Sequence, residues 1–345
     1  MSSQKRSTAL PTTNTLISRR RMLKLSGASA LAAFLAACQS AEQAPAATAV
    51  PSEPEPEPVE PTAESQTQTM GNLTAVDMPD FAGSVMVADR GLAKVHTYIA
   101  PADANANATH IIESENALVI IDGQMLVPFA TEFRTYVDSL GKPIERLYLS
   151  HSHPDHHWGI AAAFSDVPVF ALAETISAIE AGGQGMLDSN KPQMGDLLPE
   201  TVHIPDNTVT PGEETIDGIL YDIKHVKDAE DTDQLVIKLP ELKTIVLQDL
   251  IYSDIHLFVA ANLESWGNHV GDMQALDEFT LGLGGHGLPF ESPARYDEVR
   301  AYLQSAGELI GSVESAADYV SGISEAYPEY EGTLHELSAS ILFSG

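Results

Sequence analysis

Four histidines and one aspartate fall within seven residues of the stretch LYLSHSHPDHHWG, Leu147 to Gly159, directly behind an apolar run. Imidazole and carboxylate groups at this density are the donor set of a metal site. On a loop leaving a strand, His151 and His153 can converge on one cation, while Asp155 and His156 can serve a second. Imidazole nitrogens at ~2.0–2.1 Å suit zinc and its neighbours, and a carboxylate among them marks an open catalytic site and not a closed structural one.

The elements that must position this loop read as alternating strands and helices. KVHTYIA, THIIES and ALVIID are β-rich runs, the last closed by Asp122 and Gly123. PFATEFRTYVDSL has helical spacing with Pro128 in its first turn, IERLYLS is the strand feeding the histidine loop, and GIAAAF is helical. VPVFALA then reads as a strand and ETISAIEA as a helix. TVHIP, ILYDIKHV, QLVIKL and TIVLQDLIY follow as a second set of strands. From Tyr296 the chain turns helical through YDEVRAYLQSAGELIGSVESAADYVSGI. Two strand-rich sets interleaved with helices predict an α/β sandwich with helices on the outer faces.

The motif His-x-His-x-Asp-His-x-x-Gly, carried by His151, His153, Asp155, His156 and Gly159, resembles the signature of the metallo-β-lactamase fold superfamily. The resemblance extends from about Val85 to Tyr302 and implies an αββα sandwich of two mixed sheets with helices outside. It implies three further ligands, with candidates in fitting contexts: His225 closing ILYDIKH, Asp249 closing TIVLQD, and His286 in GGHG. By the same resemblance His151, His153 and His225 hold one metal, Asp155, His156 and His286 hold the other, and Asp249 bridges. The implied cofactors are two divalent ions, zinc first, with iron or manganese as alternatives. Two such ions ~3.5–4 Å apart share a hydroxide that can attack an ester, lactone, thioester or amide carbonyl. The sequence departs from the pattern at Gln248, where glycine is common, and at VKDAEDTD after His225, which replaces a Thr-Pro-Gly turn. Different loop shapes, more than a different ligand set, are expected there.

Other residues admit two readings each. Asp122 can orient a ligand histidine or simply serve a turn. Tyr252, three residues after Asp249, can donate to a developing oxyanion, alongside catalytic roles for Asp155 and Asp249, or it can be a buried strand-end tyrosine. His157 and Trp158 are candidates for the pocket mouth, and His256 and His269 for the pocket wall. His96, His110, His203 and His335 have no evident ligand partners. Where a lysine would suit a β-lactam carboxylate the chain has Tyr252, and the spacing of Asp249 and Tyr252 resembles quorum-quenching lactonases of the same superfamily. Two other readings use the same motif: a mononuclear iron oxygenase, or a surface lipoprotein that binds metal or ligand without turnover.

The N-terminus reads as an address. SRRRMLK precedes the uncharged stretch LSGASALAAFLAA, which ends at Cys38, the only cysteine in the 345 residues. Paired Arg19 and Arg20 resemble a twin-arginine export signal, and LAAC resembles a lipobox, which implies the twin-arginine export machinery and a membrane anchor through lipidated Cys38. Residues 1–37 are thus expected to be the signal and 38–70 a Pro/Glu-rich tether, with the folded domain at 71–305 and a packed helical extension at 306–345. The product would be an exported, membrane-tethered lipoprotein of the cell envelope. All six basic residues before Cys38 leave with the signal, so 12 basic residues face 49 acidic ones thereafter, a net charge of −37. That field disfavours nucleic acid and anionic lipid headgroups, apart from any lipid anchor, and favours solubility and cation accumulation. The partner expected at the metal site is a small-molecule substrate.

Overall fold

A computed structural model describes residues 72–344. The expected signal, lipobox with Cys38 and tether lie outside the described residues. Among the described residues thirteen strands form two sheets. The first contains, in chain and spatial order, β1 (Leu73–Val76), β2 (Ser84–Asp89), β3 (Lys94–Ile99), β4 (Ala108–Glu113), β5 (Leu118–Ile121), β6 (Ile144–Tyr148), β7 (Val169–Ala171) and β8 (Asn207–Thr208). β1 to β5 pair antiparallel, whereas β5 to β8 pair parallel, so the sheet is mixed. The second sheet comprises β9 (Gly212–Ile216), β10 (Ile219–Lys227), β11 (Asp233–Leu239), β12 (Thr244–Tyr252) and β13 (Leu281–His286), with only the β12–β13 pair parallel.

Each parallel crossover needs a helix or long connection, and the sequence supplies them. α1 (Val127–Ser139) joins β5 to β6 and buries Phe129, Ala130, Phe133, Tyr136 and Val137 on one face. Pro128 sits in its first turn, where the missing N–H costs nothing. The short helices α2 (Pro154–His157) and α3 (Ile160–Ala163) carry the end of the histidine motif, and α4 (Ala173–Ala178) and α5 (Gln184–Met194) precede β8. α6 (Leu263–Gln274) leads to β13, and α7 (Ala294–Ile310), α8 (Ala316–Ala326) and α9 (Leu334–Leu342) complete the chain. α7 runs unbroken through residues 305 and 306.

The main core lies between the sheets and extends under α6, α7 and α8, with β12 buried at all nine positions. A second core separates the first sheet from α1. Burying Phe133 completely contributes about 2 kcal/mol or more there. Among the described residues no helix is long and apolar enough to cross a membrane.

TVHIP, expected as a strand, is not one. Residues 201–206 are irregular, and pairing resumes only in the two-residue β8. Pro205 has no N–H to give a ladder. β1, β2, β9, β13 and α5 were not anticipated by the sequence reading.

Candidate metal centre

The histidine loop leaves β6 at its C-terminal end, beside the equivalent end of β5. Asp122, the residue after β5, turns into the left-handed region at φ 62° and faces that loop. Its carboxylate accepts from the Ser150 N–H and Oγ–H, each at 2.7 Å, from His156 Nδ1 at 2.7 Å, and from the Gln248 side-chain amide. Burial alone would raise the Asp122 carboxyl, but His156 and the Ser150 N–H more than offset this and hold it below its usual value. With the Ser150 proton committed to Asp122, Ser150 Oγ accepts from His151 Nδ1 at 2.8 Å. One carboxylate therefore fixes two imidazoles, one directly and one through a serine, turning both Nε2 atoms the same way. His286 is set from another side, its Nδ1 donating to the Asn105 carbonyl at 2.8 Å.

The structure brings two donor sets together. His151, His153, Glu230 and Asp249 form one, and Asp155, His156, Asp249 and His286 form the other, so that Asp249 belongs to both. His153 Nδ1 is 3.2 Å from Glu230 Oε1, and His151 Nε2 is 3.6 Å from Glu230 Oε2 and 3.8 Å from Asp249 Oδ2. Across the shared aspartate, His156 Nε2 is 3.2 Å from Asp249 Oδ1, and His286 Nε2 is 3.4 Å from Asp249 Oδ2 and 3.3 Å from Asp155 Oδ2. Ligand atoms around a tetrahedral cation with bonds of ~2.0–2.1 Å stand roughly 3.3 Å apart, so these separations fit ligation. The Nε2 atoms of His151, His156 and His286, Asp249 Oδ1 and Glu230 Oε1 are buried without a hydrogen-bond partner. Burying that many unsatisfied polar atoms is costly, and a cation at each set resolves it.

His225, expected among the ligands, is not among them. It lies within β10, two residues before the strand ends, and its Nε2 meets Asp233 Oδ1 of β11 at 2.7 Å. With Glu174 of α4 these two form a separate, partly exposed cluster. Because β10 continues to Lys227, the turn that reaches the site starts only at Asp228, at φ 53°. Ser152 donates to Asp231 Oδ2 through N–H at 3.2 Å and Oγ at 2.9 Å, clamping this turn to the histidine loop and directing Glu230 inward. Burial, ahead of the opposing pull of His153, pushes the Glu230 carboxyl up to about 7. His286 is pushed up to about 9 because Asp249 and Asp155 outweigh the effect of its burial.

Gln248, where glycine is common in the resembled pattern, has φ 43° at a register shift between β12 and β13. Its side chain links Asp122 to buried His110, 2.9 Å from His110 Nε2. Asn105, Ala106, Asp122, Gln124 and Gln248 all take left-handed conformations around the site. Such backbone strain persists where surrounding contacts over-determine the geometry. Gly285 answers a different need: a Cβ there would fall 1.7 Å from Asp249 Oδ1.

Tyr252 is buried and lines the cavity over the centre. Its hydroxyl donates to Asp249 Oδ2 at 2.8 Å, and its ring stacks on His286 at 4.5 Å. Burial, then the Asp249 charge, pushes the phenol well above its ordinary value, so it remains a proton donor. His157 and Trp158 are buried and do not line this cavity; Trp158 packs with Leu187, Met194 and Leu198. His256 and His269 do not line it either: His256 packs at a tilt against His335, and His269 caps the Lys227 carbonyl. His96 pairs with Glu113 and Tyr136.

No family model matches the chain, and no curated protein matches it. Solved structures do. A variant of the Pseudomonas sec-alkyl sulfatase PisA1 aligns with a TM-score of 0.51 and 17% identity, over 71% of this chain and 48% of that one. A metallo-β-lactamase from Pontibacter korlensis aligns at 0.49 and 16%, over 67% of this chain and 99% of that one. The metallo-β-lactamase FIM-1 from Pseudomonas aeruginosa, in a mono-zinc form, gives 0.49 and 16%, over 70% and 99%. The architecture is the αββα sandwich of the metallo-β-lactamase fold, and at these identities the likeness is one of fold.

Proposed function

We propose that this chain is a dinuclear metal-dependent hydrolase acting on an ester, lactone, thioester or amide carbonyl. The observation that carries this reading is the meeting of two donor sets at Asp249, with three buried Nε2 atoms aimed into them and otherwise unpaired. His151, His153 and Glu230 would hold one divalent cation, Asp155, His156 and His286 the other, and Asp249 both. Zinc fits the donors, and the carboxylate-rich set also admits manganese or iron. Bound there, such cations supply Lewis acidity and a water acidic enough to attack near neutral pH. The chain's residues supply the rest. Asp122 and Ser150 hold the imidazoles in one tautomer, and Asp155, at the cavity wall, is placed to orient the attacking water. The Tyr252 hydroxyl, protonated and beside Asp249, can swing its hydrogen bond to oxygen charge developing on a carbonyl. In the balanced reaction the acyl bond to oxygen, sulfur or nitrogen breaks, the water oxygen ends on the carbonyl carbon, one water proton leaves on the alcohol, thiol or amine, and the other is released from the carboxylic acid that forms.

The test is metal content together with turnover. Two zinc or manganese ions per chain with hydrolysis of carbonyl esters or lactones supports the reading, and Asp249→Ala should lower both occupancies and remove most activity. One iron per chain with oxygen consumption, or bound metal without turnover across such a panel, overturns it.

The cellular setting belongs to the same proposal and rests on sequence: twin-arginine export of the precursor and lipidation of Cys38, tethering an acidic enzyme outside the cytoplasm. Arg19→Lys with Arg20→Lys should retain the precursor inside, and Cys38→Ala should abolish lipidation. Unchanged fractionation and mass in both variants would remove this part.

A further inference from the structure

Above the metal centre lies a cavity of about 470 Å³, within the range of sites that enclose a small organic ligand. Its floor is polar: His153, Asp155, Glu230, Asp249, Tyr252 and His286. Its walls are mainly apolar, built from Met125, Met186, Phe258, Leu334, Leu337 and Ile341, with the uncharged polar side chains of Asn105, Ser189, Asn190 and Thr333 between them. Among the described residues that line it there is no lysine or arginine. Any charge fixed in the lining away from the histidines is therefore negative.

α9 supplies half of the apolar wall. The helix docks through Leu334, His335, Ser338 and Ala339, all buried, and Ser338 Oγ accepts from the Val259 N–H at 2.7 Å. Leu334, Leu337 and Ile341, spaced at i, i+3 and i+7, run from the buried side of the helix to its exposed side and border the cavity along the way. Four large hydrophobic residues are exposed among the described residues: Leu92, Met186, Ile204 and Ile341. Two of the four, Met186 at 46% and Ile341 at 38%, flank this one cavity from opposite helices, α5 and α9. Isolated exposed apolar residues need no explanation, but a pair converging on a pocket marks a binding surface.

We propose that this cavity selects an uncharged substrate carrying an aliphatic chain, with the chain held between α9 and α5 and the reacting carbonyl at the metal centre. This rests on the hydrolase reading and narrows it. Three carboxylates in the ligand sets offset three of the four charges that two divalent cations bring, so little net attraction remains for an anionic group. The acidic surface repels anions further. An aliphatic chain instead gains with each methylene buried. The C-terminal helix is thereby a specificity element of the site.

The experiment compares p-nitrophenyl esters from acetate to decanoate on the metal-loaded protein, beside esters of equal length ending in a carboxylate and a secondary alkyl sulfate. It also measures binding of the uncharged probe N-phenyl-1-naphthylamine to metal-free protein. Expected is a rise in kcat/KM of about threefold per methylene until the cavity is filled. A carboxylate at the chain end should reverse the gain. Leu337→Asp should reduce the octanoate-to-acetate ratio at least tenfold and weaken probe binding similarly. Ile341→Asp, at an exposed position that folding tolerates, should act in the same direction. A flat chain-length profile, preference for the carboxylate-ended or sulfate substrates, or variants that keep both the ratio and the probe affinity overturns the inference. The two readings fail separately. Probe binding that depends on Leu337 without turnover of any ester sinks hydrolysis and keeps the pocket. Turnover with no chain preference and unaltered probe binding sinks the pocket and keeps hydrolysis.

Discussion

Glu230 Oε1 lies 3.2 Å from His153 Nδ1, so a carboxylate stands where the sequence pattern nominated the imidazole of His225. The exchange alters chemistry as well as identity. An anionic oxygen donor in place of a neutral nitrogen lowers the net charge of the loaded centre by one and broadens the set of cations it can hold. It also ties the centre to the β10–β11 turn, through the bonds of Ser152 to Asp231.

Asp122 orients His156 directly and His151 through Ser150. Asp122→Asn keeps the shape and loses the charge, and should reduce metal affinity or activity about 10–100-fold. Competition with a chelator of known affinity reads the change. Affinity equal to wild type would reduce Asp122 to a turn residue.

Tyr252→Phe keeps the stack on His286 and removes only the hydroxyl. If the phenol stabilises a developing oxyanion, kcat should fall by ~10²-fold with metal content unchanged. Steady-state kinetics with elemental analysis separates the outcomes, since a fall in metal content would show that the hydroxyl works by holding Asp249. Wild-type kinetics would make the ring a packing element.

The rings of His256 and of His335 on α9 lie 3.9 Å apart, and each is pushed down to about 4, His256 by burial and His335 by burial and then by its neighbour. In the unfolded chain both take protons near pH 6.5. Between pH 6.5 and 4 the unfolded state therefore binds more protons than the folded one, and stability is lost as pH falls through that window. The Tm should drop by several degrees from pH 7 to pH 5, and replacing both histidines with glutamine should flatten the profile. An equally steep profile in the double variant would place the acid sensitivity elsewhere.

What could be read from sequence follows physical range. The motif from His151 to His156 is local, and its four ligands converge with Asp249 and His286, six of the seven expected in all. Strands such as TIVLQDLIY were legible because a run buried on both faces is mostly apolar, here interrupted only by Thr244 and by Gln248 and Asp249 at the site. Glu230 was not legible. It sits in an acidic turn of a chain with 49 acidic residues, and nothing in its spacing separates it from Asp228 or Asp231. His225 falls outside both donor sets because its strand runs two residues further, to Lys227. The apolar wall from α9 was hidden for another reason: Leu334, Leu337 and Ile341 have the spacing of ordinary core, and only the packing of the helix shows that this stripe runs out to exposed Ile341 along the cavity.

In the proposed two-cation centre joined at Asp249, Glu230 and not His225 completes the ligand set. Metal titration of the purified protein, wild type beside Glu230→Gln and His225→Ala, decides between the two residues. Two ions should bind in wild type and in His225→Ala, and Glu230→Gln should lose one ion or bind its first or second at least tenfold more weakly. Full double occupancy in Glu230→Gln together with a lost ion in His225→Ala would contradict this assignment.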